Sequence, residues 1–129
     1  MVPMIVGTGV DIAEVDRIRE SIERFGKRFL NRVFTEGEIQ YCERKASRFE
    51  SYAARFAAKE AAAKAMGTGF RDGLMLHHIG VTHDSVGKPQ LAFTDQAAEF
   101  VQANNITSVH VSLADEEDHA VAFVTLATG

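Results

Sequence analysis

Between Ala53 and Ala65 the sequence "AARFAAKEAAAKA" holds eight alanines and no glycine, proline or β-branched residue. Alanine has the highest helix propensity, because it loses no side-chain entropy and hides no polar group. Such a run commits the chain to a long helix, which Ser51 is expected to start and Gly67 to end in the left-handed cap position.

The rest of the chain reads as short elements around that helix. Residues 2 to 11 alternate as a strand, with Val2, Met4, Val6, Thr8 and Val10 on one face and Ile5, Gly7, Gly9 and Asp11 on the other. The first face is expected to pack; the second is nearly bare. From Val15 the apolar spacing changes to three and four through Ile18, Ile22, Phe25, Phe29 and Val33, predicting an amphipathic helix that Gly26 kinks or divides. "TEGE" at Thr35 to Glu38 has the spacing of a capping box and predicts a helix to about Lys45. After the loop "GTGFRDG", strands are predicted at 79 to 84 and 89 to 93 around the turn "SVGKP". A short helix capped by Asp95 then runs to about Asn104, followed by strands at 107 to 114 and 119 to 127 around the solvated turn "DEED". The last strand, "HAVAFVTLA", is apolar almost throughout, so both its faces are expected to be covered, one of them by a partner subunit.

At 129 residues the chain is expected to form one domain, residues 1 to 129, with no repeat or linker. The first basic residue is Arg17, and glycines interrupt the apolar start, so neither a signal peptide nor a membrane span is expected and the chain is expected in the cytoplasm. Cys42 is the only cysteine, which excludes an internal disulfide and a cysteine-based metal cluster; it reads as a small buried side chain. A net charge of −4 argues against general nucleic-acid binding. Yet between Arg17 and Arg32 six basic residues (Arg17, Arg19, Arg24, Lys27, Arg28, Arg32) face two acids (Glu20, Glu23), a local charge of 6 − 2 = +4.

Glycine in a strand forfeits packing and often marks a close approach to the backbone. Gly7 and Gly9 share their face with Asp11, so this face either admits a ligand or cation beside Asp11 or leaves Asp11 to cap the next helix. On the alanine helix Glu60 and Lys64 are neighbours, as are Arg55 and Lys59. "GTG" follows that helix and does not precede one, so it lacks the positive N-terminal end that phosphate loops use; Lys64 can still meet a phosphate as a point charge. In "TSVHVSLAD" the alternation puts His110 on a polar face with Ser108 and Ser112, lining a site or facing solvent. Two carboxylates, Asp11 and Glu60, without histidine or cysteine ligands are what a hard cation such as Mg²⁺ uses when phosphates complete its shell.

The segments "GTGVDIAEVDRI", "RFAAKEAAAKAMGTG", "GKPQL" and "HVSLADEEDHAVAFV", in that order over essentially the whole chain, resemble the holo-acyl-carrier-protein synthases, the small class of 4′-phosphopantetheinyl transferases. The resemblance implies an α+β fold, a small antiparallel sheet packed with helices. It implies Mg²⁺-dependent transfer of 4′-phosphopantetheine from coenzyme A to a serine of acyl carrier protein, with release of adenosine 3′,5′-bisphosphate. By it, Asp11 and Glu60 hold the metal, Glu60 and Lys64 serve the chemistry, and the bare strand face admits the pyrophosphate and metal. Arg55, Lys64, Gly67, Thr68, Gly69 and His110 bind coenzyme A, with loop 44 to 48, "RKASR", toward its 3′-phosphate. By the same resemblance, Arg17, Arg24 and Arg28 on the first helix are expected to meet the acidic carrier protein, where charge complementarity speeds association. The resemblance further implies a homotrimer with active sites between subunits. Whether Glu60 also takes the serine proton stays open at this level, and the competing readings are a non-catalytic coenzyme A-binding module and a carrier-protein adaptor.

Overall fold

The computed structural model describes residues 2–129. The chain runs β1 (Met4–Glu14), α1 (Val15–Phe25), α2 (Lys27–Val33), α3 (Glu36–Glu43), α4 (Arg48–Met66), β2 (Ile79–His83), β3 (Pro89–Phe93), α5 (Asp95–Ala103), β4 (Ile106–Asp115) and β5 (His119–Thr128), with a 3-10 turn at Leu76–His78. β1, β5 and β4 form an antiparallel sheet in that order, and β2 and β3 form a separate hairpin. The fold is α+β, with helix α4 lying across one face of the three-stranded sheet.

The alanine run is the heart of this packing. Ala53, Ala54, Ala57, Ala58, Ala61, Ala62 and Ala65 are all buried, against Ala13, Ala120, Ala122, Val124 and Leu126 of the sheet. The strand answers the helix with glycines. A methyl group built on Gly7 would stand 2.9 Å from the carbonyl carbon of Ala65, and one on Gly9 would stand 2.9 Å from that of Ala61, closer than real side chains approach. Two strand residues and four helix residues cover nearly the same length, about 6 to 7 Å, so β1 steps from one helical turn to the next in backbone contact.

This inverts the expectation for β1. The glycine face is the packed one, covered by α4 and not by a cofactor, while the valine and isoleucine face looks outward: Val10 is 51% and Ile12 66% exposed. β5 likewise buries Ala120, Ala122, Val124 and Leu126 inward and leaves Phe123 48% exposed outside, so only one of its faces is covered within the chain.

Elsewhere the differences are local. Gly26 divides the first amphipathic stretch in two, with φ +58°, and the break turns Phe25 out to solvent while Ile18, Ile22, Leu30 and Val33 stay inside. The capping box is formed as expected: Thr35 Oγ1 accepts from the Glu38 N–H at 3.2 Å and Glu38 Oε1 from the Thr35 N–H at 2.9 Å. α4 begins at Arg48, not at Ser51; Ser47 takes the cap position without a side-chain hydrogen bond, so Ser51 lies inside the helix and Arg48 belongs to it and not to the preceding loop. α5 is likewise entered from Thr94, and Asp95 is its first residue. Cys42 is fully buried, and burial pushes its thiol up to about 12.

Gly9→Ala is expected to lose at least about 3 kcal/mol of stability, since the clash is with helix backbone that cannot rotate away. Gly37→Ala, whose added methyl meets nothing within 4 Å, serves as the control and should leave the urea midpoint unchanged or raised.

Candidate active site

Asp11 comes two residues after Gly9 on the packed face of β1, so the same step carries it about one turn before Ala61, on the side toward which the Glu60 and Lys64 side chains lean. Lys64, leaning back toward the helix N-terminus as helical side chains do, donates from Nζ to Asp11 Oδ1 at 2.9 Å and to the Val10 carbonyl at 3.0 Å. Asp11 lies inside β1, and the residue before α1 is Glu14, so Asp11 is not a helix cap. Burial, then the charge of Asp11, raises the proton affinity of the Glu60 carboxyl above the usual carboxylate range, with Lys64 opposing. Two carboxylates near enough to feel each other's charge thus share a single ammonium, an excess of negative charge at an open site where the Asp11 side chain is 18% and the Lys64 side chain 56% exposed.

That donor set is all oxygen, and a lysine ammonium already sits against Asp11, so a hard cation fits where charge and geometry invite one. Among the described residues no group of three or more His, Cys, Asp or Glu is placed to hold a metal. A cation held here would draw on these two carboxylates, leaving the remainder of its shell to oxygens from outside the chain.

Lys59, one residue from Glu60, points the other way and is fully buried. Its Nζ donates to Glu38 Oε1 at 2.6 Å and also to the Ile79 carbonyl, while Glu38 Oε2 accepts from the Val81 N–H at 2.8 Å. Burial lowers the proton affinity of the Lys59 ammonium, and Glu38 opposes this. The pair ties α3, α4 and β2 together behind the site. In the sequence Lys59 neighbours Arg55 and Glu38 shows only a capping role; two cations on one ridge of an alanine helix with no acid between them are the signal that a partner comes from another element.

One turn earlier Arg55 is 4% exposed. Its Nη1 donates to the Ser51 carbonyl at 3.1 Å, its guanidinium carbon lies 4.3 Å from the Tyr41 ring centre, and its Nε is buried without a hydrogen-bond partner among the described residues. Gly67 takes the left-handed cap of α4, and the N–H groups of Gly67 and Gly69 both close on the Ala63 carbonyl, so these amides serve the helix end. Thr68 offers its carbonyl to Arg71 Nε at 2.6 Å.

His110 is exposed and contacts Ser108 Oγ at 2.9 Å. In register opposite Thr125, it lies on the outward face of the sheet, away from Asp11 and Glu60. The structure thus brings Asp11, Glu60 and Lys64 together but sets His110 apart within one chain. On α1 and α2, the Arg17 side chain is 80% exposed beside Glu14, Arg24 lies over Phe25, and Arg28 and Arg32 border a cleft of about 380 Å³ with Ser21, Phe25 and Phe29. Arg19 is paired with Asp16, which trims the local charge.

The sequence profile of the 4′-phosphopantetheinyl transferase superfamily matches residues 7–124. The chain belongs to this family. Among its relatives, a holo-acyl-carrier-protein synthase of Koribacter versatilis is 50% identical over 123 residues, covering 95% of this chain and 98% of the relative. One from Vibrio cholerae is 42% identical with the same coverage. The crystal structure of the Neisseria meningitidis synthase superposes with a TM-score of 0.87 at 37% identity over 95% of this chain and 98% of that one. A Bacillus anthracis synthase crystallised in complex with CoA (3′,5′-ADP) gives 0.80 at 37% identity, covering 98% and 99%. The chain is thus an enzyme of the 4′-phosphopantetheinyl transferase class, and its carboxylate pair and lysine all fall within the matched region.

Lys59→Met leaves a buried carboxylate without its cation and is expected to lose roughly 3 to 5 kcal/mol. Adding Glu38→Gln should recover part of that loss, since it removes the unpaired charge but keeps only one of the two oxygens that accept the Thr35 and Val81 N–H groups, as read from urea midpoints of the single and double variants.

Proposed function

We propose that this chain is a holo-acyl-carrier-protein synthase, which transfers 4′-phosphopantetheine from coenzyme A to a serine of apo acyl carrier protein and releases adenosine 3′,5′-bisphosphate, serving fatty acid biosynthesis in the cytoplasm. The observation that carries the reading is the convergence of Asp11, Glu60 and Lys64 in a chain whose relatives bear that name. In the reaction the serine oxygen forms a bond to the β-phosphorus as the bond from that phosphorus to the bridging oxygen breaks. The electron pair leaves with the α-phosphate of the nucleotide.

Asp11 and Glu60 would hold Mg²⁺, which when bound supplies Lewis-acid stabilisation of phosphate oxygens. Lys64 adds positive charge where the leaving phosphate gains negative charge. Lys64 Nζ occupies Asp11 Oδ1, so the Glu60 carboxylate, through an oxygen turned away from the ion, would accept the serine proton. Arg55, Lys64 and the Gly67–Thr68–Gly69 bend form the coenzyme A side of the cleft, with the basic residues of the loop after α3 toward its 3′-phosphate.

Two surfaces support the partners. Arg17, Arg24 and Arg28 around the half-exposed Phe25 offer charge and an apolar contact to an acidic carrier protein. The outward sheet face, with Val10, Ile12 and Phe123 open, supports a homotrimer in which a neighbouring copy brings His110 to the cofactor. No helix among the described residues is long and apolar enough to cross a membrane.

Incubating the protein with coenzyme A, Mg²⁺ and apo acyl carrier protein should add one phosphopantetheine mass to the carrier. Coenzyme A binding without that mass would make the chain a binding module, and carrier binding alone an adaptor. Asp11→Ala and Glu60→Ala should each lower the transfer rate by a hundredfold or more, about the loss of one electrostatic stabiliser of the transition state, with circular dichroism unchanged. Arg17→Glu should weaken carrier binding in a salt-dependent way and leave coenzyme A affinity alone; equal loss of both would remove the carrier role.

A further inference from the structure

Arg55 is held by an arrangement that its role in the cofactor cleft does not by itself require. Its Nη2 lies 3.5 Å from His83 Nε2, and His83, at the end of β2, stacks on Tyr41 of α3 with ring centres 4.7 Å apart and planes 22° apart. Tyr41 in turn lies under the Arg55 guanidinium at 4.3 Å. The three side chains form a closed triangle from three elements. A guanidinium has donors only, so His83 Nε2 must be the nitrogen that accepts, which requires a neutral ring with its proton on Nδ1.

We propose that His83 is a positioning residue for coenzyme A binding, a latch that holds Arg55 in the cofactor cleft while its ring is neutral and releases it when the ring is protonated. The inference rests on the reading of Arg55 as a coenzyme A ligand.

The surroundings favour the neutral ring. Burial first, then the positive charges of Arg55 of α4 and Lys45 beyond α3, lower the proton affinity of His83 below the usual imidazole value. From α3, Tyr41 presents an uncharged ring, and Glu38 is engaged by Lys59 of α4 further along β2. From β3, Pro89 lies opposite in register and carries no charge. Asp84 opposes this lowering as an acid acting on the ring, and its Oδ1 already accepts the N–H groups of Val86 and Lys88 at 2.9 Å each. Protonation removes the acceptor from Nε2 and sets a second cation against Arg55. The guanidinium then loses one of its two hydrogen-bonded anchors, the Ser51 carbonyl being the other.

The test is the Michaelis constant for coenzyme A in wild type, His83→Ala and His83→Gln between about pH 8 and about pH 5, a span that brackets the ordinary histidine range. At pH 8 the alanine variant should show a KM raised roughly threefold to tenfold, the worth of one side-chain hydrogen bond, with kcat preserved. The glutamine variant, whose amide oxygen can accept from Arg55 at any pH, should restore the wild-type value. As pH falls, the wild-type KM should climb relative to that of His83→Gln, whose own pH dependence carries the phosphates of coenzyme A and the other titrating groups of the site, Glu60 included. Parallel profiles for wild type and His83→Gln, or a wild-type KM that falls relative to it in acid, overturn the latch; the latter would make protonated His83 a phosphate ligand.

Ring NMR titration of His83 separates this from failure of the coenzyme A reading. In the absence of coenzyme A, Arg55→Gln should raise the His83 midpoint, and an unmoved midpoint overturns the contact itself. A raised midpoint together with an unchanged coenzyme A KM in Arg55→Gln would instead show that Arg55 is not a ligand, and the proposal falls with that reading.

Discussion

The backbone of β1 rests on the backbone of α4, and the rest of the molecule is arranged around that contact. It needs glycine at two successive inward positions of the strand and small side chains along the helix, and the sequence provides both, Gly7 over Ala65 and Gly9 over Ala61. A strand and helix separated by ordinary side chains would hold Asp11 away from Glu60 and Lys64. Here the strand leaves the second glycine and delivers a carboxylate to the helix surface within reach of both.

Helix α4 then sorts its charged residues by direction. Lys59 and Glu60 are adjacent in sequence but about a hundred degrees apart around the helix axis. Lys59 turns into the protein, where Glu38 and the Ile79 carbonyl satisfy it and α3 and β2 are fixed in place. Glu60 turns to the open side, where Asp11 increases the negative charge and Lys64 only partly offsets it. One pair is closed and holds the structure; the other set is unbalanced and is available for a ligand. Arg55, a turn earlier, belongs to the same ridge as Lys59 but is held by an imidazole in place of a carboxylate. A neutral partner leaves its full charge available to an anion.

The order and type of the elements could be read in the sequence because each carried a local signal: alanines for α4, the Thr35 and Glu38 capping box for α3, alternation for the strands. So could the meeting of Asp11, Glu60 and Lys64, although through family likeness more than through spacing. The facing of β1 was reversed, because alternation tells which residues share a side and not which side is buried; apolar residues read as core here lie outside, and glycines read as a ligand floor lie under a helix. The start of α4 was missed by a turn because Ser47 and Ser51 are equally plausible caps by composition. The pairings of Tyr41 with Arg55 and His83, and of Lys59 with Glu38, are not legible in the sequence because each partner comes from a different element, and no local pattern encodes such a pairing.

The central claim is that strand–helix backbone contact creates one cation site from two distant carboxylates. A crystal grown with coenzyme A and Mn²⁺, with the ion located by its anomalous signal, tests it most directly. The account predicts a single ion bound by oxygens of both Asp11 and Glu60 at about 2.1 to 2.2 Å, slightly longer than for magnesium, with phosphate oxygen completing the shell. An ion held by only one of the two carboxylates, or bound elsewhere on the chain, would contradict it.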